Sequence, residues 1–335
     1  MRIGLAGGGS DLASFSNNYG GQVFNTTINL HAYTTIKISP SKRFRIFHKS
    51  IDLGIMEEYK PDNPNPRLKL LQGVTNFFFQ QIPKVGQIDI STYSEVPSGS
   101  GLGTSSTIVV SIISCYSSFL NINLSRYQIA EFSVYVEREL LKFAGGMQDQ
   151  YSATFGGFNH IEFKTNKTVI VNNVRPSESM FQWLESSCIL YYTGSSRESS
   201  NIILDQEERI QHAKNSISKK DYINNMIRLA DASNQLKEAF IREKKSDFIQ
   251  IMNECWEIKK NLSNKISNPK FDLLINALKD RGAQTVKISG AGGGGFAVII
   301  SKLEERNQLI KYLETKNGRV YNFSFTNKGV TTWKE

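Results

Sequence analysis

At 335 residues the chain exceeds one ordinary domain, so two domains sharing a cleft are the first expectation. Apolar residues make up 39% but never form a run long enough to span a bilayer, and the start lacks the order of a secretory signal, so a cytoplasmic location away from any membrane is expected. The net charge of +9 comes from lysines and arginines interleaved with acids, as in "QEERIQHAKNSISKKDYINN", a pattern of solvated helix faces. With no basic stripe carrying interleaved aromatics, no nucleic-acid partner is expected, and attraction of phosphorylated small molecules is the other use of such charge.

In chain order, "QVFNTTI", "TTIKIS", "RFRIFHKS" and "QIDISTYS" cluster β-branched and aromatic residues between turn residues and read as strands. A helix is predicted in "PNPRLKLLQGVTNFFFQQ", a buried one in "STIVVSIISCYSSFL", and a third in "SRYQIAEFSVYVERELLKF" with Ser125 as its cap. The strands "GGFNHIEF", "TVIVNNV" and "SCILYYTG" follow, then nearly seventy residues of helical periodicity. "FDLLINALKDRG" reads as a helix closed by Gly282, and "QTVKIS", "GAGGGG" and "FAVIIS" as strand, glycine loop and strand. A helix in "LEERNQLIKYLET" and a strand in "RVYNFSF" complete an α+β layer with helices on one face. Three cysteines (Cys115, Cys188, Cys255) without metal-like spacing are expected to be reduced and buried.

Three glycine-rich stretches carry the chemistry. In "EVPSGSGLGTSS" a strand enters a glycine turn and then a helix, an arrangement that brings backbone N–H groups and a helix N-terminus to a phosphate. The lysine of a Walker loop is missing, but a serine in "TSS" can both cap and hold a Mg²⁺ ion. In "YVERELLKFAGGMQDQYSATFGG", Ala130, Val134, Glu137 and Leu141 share a helical stripe, so Glu137 falls on an apolar face while Arg138 and Glu139 point elsewhere. A carboxylate there needs either an ion-pair partner or a metal. Asp149 is either a turn residue or the base that takes a proton from a substrate hydroxyl. In "KISGAGGGGF" the glycine run exceeds what a hairpin needs, so something must approach its backbone closely.

Taken with "RIGLAGGGSDL" at the start, these motifs resemble those of the GHMP superfamily of small-molecule kinases over essentially the whole chain. Within it, "AGGGSDL", "GGMQDQYSATFGG" and "YYTGSSRESSNI" are similar to the bacterial heptose 7-phosphate kinases. The resemblance implies an α+β, two-domain fold: an N-terminal ribosomal-protein-S5-domain-2-like domain at 1–183, a ferredoxin-like domain at 184–335, and the active site between them. It implies ATP held by Pro97, Ser98, Gly99, Ser100, Gly101, Leu102, Gly103, Thr104, Ser105 and Ser106, with Mg²⁺ on Ser105 and Glu137. Asp149 would be the base or anchor for the attacking hydroxyl. Gly7, Gly8, Gly9 and Gly292, Gly293, Gly294 would lie along the sugar, with Ser10 and Asp11 binding it; Asp11 could also cap a helix beginning near Leu12.

Relatives carry a few residues before this first motif, whereas here Met1 directly precedes Arg2, so either the start lies upstream or the first strand is clipped. Arg2 takes the place of the motif's opening cation and would neutralise phosphate, unless it lies inert on a frayed strand. Arg197 in "TGSSRESS" would bind the sugar's own phosphate, or pair with Glu198 or Glu208 at the surface. The reaction implied converts D-glycero-D-manno-heptose 7-phosphate to its 1,7-bisphosphate, for nucleotide-activated heptose of capsule, S-layer or lipopolysaccharide glycans. Another sugar 1-kinase (fucose, hexuronic acid, N-acetylhexosamine) or a silent sugar sensor are the alternatives. The partners implied are a small-molecule sugar phosphate and, as the assembly to test, a homodimer.

Overall fold

The computed structural model describes residues 1–61, 65–194, 199–212 and 217–334. Twelve strands form three four-stranded sheets among the described residues. The first sheet has the order β1 (Arg2–Ala6), β2 (Gly21–Thr27), β7 (Phe158–Phe163), β8 (Val169–Val174), all antiparallel. The second runs β3 (Ala32–Ser39), β6 (Gln87–Ser94), β4 (Arg45–Ser50), β5 (Ile55–Glu58), with β4 and β6 parallel. The third has the order β10 (Ala283–Ile288), β11 (Phe296–Ser301), β9 (Cys188–Tyr192), β12 (Arg319–Tyr321).

β1 is not frayed: Arg2 pairs with Thr27 of β2 and is 5% exposed. β5 was not expected, because it is a four-residue edge strand, "IMEE", with no alternation of buried and exposed residues. β12 stops at Tyr321, short of the predicted "RVYNFSF", and Phe325 instead bridges Ile28 next to the first sheet.

Of three cores among the described residues, the two larger ones join these layers. Helices Lys69–Phe78 and Thr104–Phe119 bury Leu71, Val74, Val109, Ile112, Ile113 and Tyr116 against Ile46, Ile88 and Ile90 of the second sheet. A polar chain crosses this core: His48 Nε2 bonds Thr75 Oγ1 at 2.8 Å, and Thr75 bonds the Tyr116 hydroxyl at 2.9 Å. The larger core joins the first and third sheets through helix Ile217–Ile241, whose Phe240 meets Phe24 of β2 and Phe158 of β7 with ring centroids 5.6 and 4.7 Å apart.

The helix expected over 125–143 begins as predicted, with Ser125 and Gln128 in a capping box. It then widens into a π-turn at Tyr135–Leu140, where the Leu141 N–H reaches Val136 O at 2.9 Å, five residues back. Glu137 lies within this turn.

Candidate active site

The loop after β6 places Gly99, Gly101 and Gly103 at φ values of 73°, 85° and 72°, a region that penalises side chains. Gly103 opens helix Thr104–Phe119 with no side-chain cap, so the first amides of a sixteen-residue helix are left for an anion, with the positive end of the helix dipole behind them. Thr104 does not cap; its hydroxyl ties the loop to Ser100 Oγ at 3.0 Å and Pro97 O at 3.4 Å.

These amides face a cavity of about 320 Å³. Of the expected phosphate-loop residues, Ser98 to Gly101 and Gly103 to Ser106 line it. Pro97 and Leu102 do not: Leu102 is fully buried, and its carbonyl accepts the Arg2 N–H at 3.1 Å, so these two shape the loop.

Asp149 stands in the first turn of helix Gln148–Phe155, not in a loop turn. Arg2 grips it with both arms of its guanidinium, Nε to Oδ1 at 2.7 Å and Nη2 to Oδ2 at 2.9 Å, and turns Nη1 to Gly101 O at 2.5 Å. Each Asp149 oxygen keeps a second lone pair, and both residues line the cavity.

Glu137 is 1% exposed. Burial pushes its carboxyl above the usual range, against the pull of Arg138 and of hydrogen bonds from Ser106 and Gln150. The hydroxyl that reaches Glu137 is therefore that of Ser106, while Ser105 lines the cavity beside it. Arg138 was expected to point elsewhere, yet it shares the cavity wall, its Nη1 at 3.9 Å from Glu137 Oε1, because the π-turn spreads more residues around each turn and brings neighbours onto one side. Its other bonds go to Gly146 O at 2.8 and 3.0 Å and Phe143 O at 3.3 Å.

An under-compensated buried carboxylate beside serine hydroxyls suits a hard divalent cation that takes its remaining ligands from phosphate and water. Among the described residues no group of three or more His, Cys, Asp or Glu could hold a metal unaided.

The first motif divides by role. Gly8, Gly9 and Asp11 line the cavity. Gly7 and Ser10 do not: a Cβ on Gly7 would meet Gln22 O at 2.0 Å, and the Ser10 hydroxyl, wholly buried, bonds Gly7 O and Gln22 O at 2.8 Å each. Asp11 caps no helix of its own; the N-cap of helix Ala13–Tyr19 is Leu12 and carries no side-chain bond. Its Oδ1 accepts from Gly9 N at 2.9 Å and Gln148 Nε2 at 3.1 Å, and its Oδ2 from Gln148 N at 3.1 Å.

The third glycine loop is approached closely by the phosphate loop itself. A Cβ on Gly290 would meet Gly101 Cα at 2.8 Å, one on Gly295 would meet Ser100 O at 2.2 Å, and Phe296 N donates to Ser100 O at 2.9 Å. Gly290 and Ala291 reach the cavity, whereas Gly292, Gly293 and Gly294 are buried away from it, with Gly293 N bonded to Ile266 O at 2.8 Å. Arg197 lies outside the described residues.

Sequence reasoning missed Gln148, Gln206 and Lys259, which also line the cavity. Lys259 carried a usable signal, since it continues the apolar stripe Phe248, Met252, Cys255, Trp256 of helix Lys245–Lys260.

A sequence profile of the GHMP kinases N terminal domain matches residues 69–157, and one of the GHMP kinases C terminal region matches 236–319. The chain is 37% identical over 339 residues to the D-glycero-alpha-D-manno-heptose 7-phosphate kinase of Campylobacter jejuni, covering 100% of this chain and 97% of that protein. A crystal structure of a D-glycero-D-manno-heptose 1-phosphate kinase from Bacteriodes thetaiotaomicron superposes with a TM-score of 0.81 at 31% identity, over 100% of this chain and 97% of that one. An L-fucokinase/L-fucose-1-P guanylyltransferase of Bacteroides fragilis is 25% identical over 95% of this chain but only 35% of its own length. Among the described residues no helix is long and apolar enough to cross a membrane. Profiles matching in both halves, together with similarity running from end to end, make one assignment: the chain belongs to the GHMP kinases, ATP-dependent phosphotransferases built from two domains.

Proposed function

We propose that this kinase transfers the γ-phosphoryl group of ATP to the anomeric hydroxyl of D-glycero-D-manno-heptose 7-phosphate, giving the 1,7-bisphosphate. The names of both heptose-phosphate relatives support the sugar and differ in which phosphate they state, 7 or 1. The observation that carries the reading is that Asp149, locked by Arg2, lies directly beside Gly103 at the uncapped start of helix Thr104–Phe119, and both line one cavity.

ATP lies with its phosphates on the amides of 98–101 and 103–106, and the sugar lies against Gly8, Gly9 and Asp11. A free lone pair of Asp149 receives the proton of the anomeric hydroxyl, whose oxygen forms the new bond to the γ-phosphorus as the bond to the β–γ bridging oxygen breaks and ADP leaves. Arg2 keeps Asp149 from rotating away and adds positive charge where the phosphoryl group passes. Glu137 and Ser105, with Ser106 beside them, are the residues that would hold Mg²⁺, which when bound neutralises phosphate charge. The division at 1–183 and 184–335 and a cytoplasmic location, where ATP is available and the free thiols stay reduced, belong to the same proposal.

ADP release with ATP and Mg²⁺ is measured against the heptose 7-phosphate, mannose 6-phosphate and neutral hexoses including fucose, with ³¹P NMR of the product. An anomeric phosphate formed from the heptose 7-phosphate and lost in Asp149→Ala is the expected result. Preferential turnover of a neutral sugar refutes the heptose assignment.

A further inference from the structure

Helix Lys245–Lys260 buries Phe248, Met252, Cys255 and Trp256 on one stripe, and Lys259 takes the next position on it, 9% exposed. The adjacent Lys260 points outward and pairs with Glu257 at 2.9 Å. Lys259 thus carries a charge where an apolar side chain would pack, and burial together with the charges of Lys287 and Arg2 lowers its ammonium to about 7, against the pull of Asp11.

The other cations near it are already engaged. Arg2 grips Asp149, Arg138 holds the carbonyls of Phe143 and Gly146, and Lys287 donates to Gly4 O and Leu5 O at 3.1 and 2.7 Å. Lys259 Nζ donates to Gly290 O at 2.5 Å, and an ammonium has three N–H groups. Its setting is the sugar side of the cavity: a Cβ built on Gly8 would lie 3.7 Å from Nζ and 3.5 Å from Gln148 Nε2, the same Gln148 that donates to Asp11. Behind it lies a small chamber of about 20 Å³ lined in part by Trp256, whose indole N–H is buried without a hydrogen-bond partner.

We propose that Lys259 binds the acceptor sugar: its ammonium donates to one sugar oxygen while Asp11, an acceptor only, takes a hydrogen bond from a neighbouring hydroxyl. The pair reads two adjacent oxygens with fixed polarity, which sets specificity on the acceptor side and leaves the nucleotide to the phosphate loop. This rests on the sugar-kinase reading, though not on which sugar is used. A lysine retained at such a position for packing alone has no advantage over methionine, which fills the same volume without a buried charge.

Lys259→Met is compared with wild type and with the neighbouring control Lys260→Met, on whichever acceptor of the panel above wild type turns over fastest, so a wrong sugar assignment changes the acceptor and not the comparison. The acceptor KM should rise about ten- to a hundredfold, with the ATP KM within about twofold. The variant should melt no lower than wild type at pH 6.5, where the buried ammonium is charged in both folded and unfolded chains and its burial is most unfavourable. The wild-type acceptor KM should climb as pH passes about 7, the charges facing the ammonium being Asp11, Arg2 and Lys287 with the Cys255 thiol beside it, and that climb should be absent from Lys259→Met. An unchanged acceptor KM overturns the proposal, as does a rise confined to the ATP KM. Equal losses for both substrates with a lowered melting temperature overturn it too, since they mark a packing role.

Discussion

The pairing of Arg2 with Asp149 lends itself to a double-mutant cycle. Arg2→Met removes two charge-assisted bonds, at 2.7 and 2.9 Å, and strands a carboxylate whose side chain is only 20% exposed. Breaking a buried pair from one side costs about 3–5 kcal/mol, and partial exposure of Asp149 puts this case near 3. An unfolding entropy of about 2.1 cal/mol/K per residue gives roughly 0.7 kcal/mol/K for a chain of this length, so the melting temperature should fall by about 4 °C. Asp149→Asn, which leaves the guanidinium facing an amide, should cost about 2 kcal/mol, and the double variant about 3 instead of the additive 5, because no stranded charge remains. In the kinase assay each single variant should lower kcat at least a hundredfold. Melts and urea titrations at pH 7 give the stabilities. Additive losses would refute the idea that the two side chains act as a unit, and a kcat in Arg2→Met close to wild type would refute the positioning role.

Other perturbations test the surrounding frame. Gly146→Ala places a methyl 1.9 Å from Asp11 Oδ2, so Asp11 must leave its bonds to Gly9 and Gln148; the acceptor KM should rise at least tenfold while the ATP KM holds, and unchanged kinetics would show that Asp11 is not pinned there. Phe240→Ala empties the ring cluster with Phe24 and Phe158 and should lower stability by about 3–5 kcal/mol in urea titrations, a loss under 1 contradicting the shared core. Burial lowers His48 and His160 to about 4, so the unfolded chain takes up their protons at pH values where the folded chain cannot. Their stabilising contribution is complete above about pH 6.5 and drains away as pH falls toward 4, by up to roughly 3 kcal/mol each, and urea midpoints independent of pH across that window would refute it.

Much of this was legible in the sequence because local chemistry and tertiary demand agreed. β6 and β11 occupy the spans predicted for them, Ser125 caps as expected, and the glycine turn into Thr104 leads where its amides imply. Glu137 could be placed on a buried face by helical spacing alone, but the π-turn that brings Arg138 beside it leaves no mark in a stripe of apolar residues. Glycine runs announce close approach without naming what approaches. Gly7, Gly290 and Gly292 admit the protein's own backbone, whereas Gly8 and Gly9 open onto the cavity, and only the fold separates the two cases. Lys259 was hidden by its charge, since a lysine at the end of a charged helix reads as solvated until the stripe is counted through it.

The seam between the phosphate loop and the third glycine loop has a consequence for how two substrates sense each other. With Gly101 against Gly290 and Ser100 against Gly295, no side chain cushions the contact, so backbone displacement passes across it undamped. Gly290 also carries the carbonyl that Lys259 holds. A nucleotide that ordered one loop would restrict the other through the same contact, which would lower the entropic cost met by the second ligand. Any coupling carried across this seam would be reciprocal, the factor by which ATP changes sugar binding being equal to the factor by which sugar changes ATP binding, whichever substrate enters first.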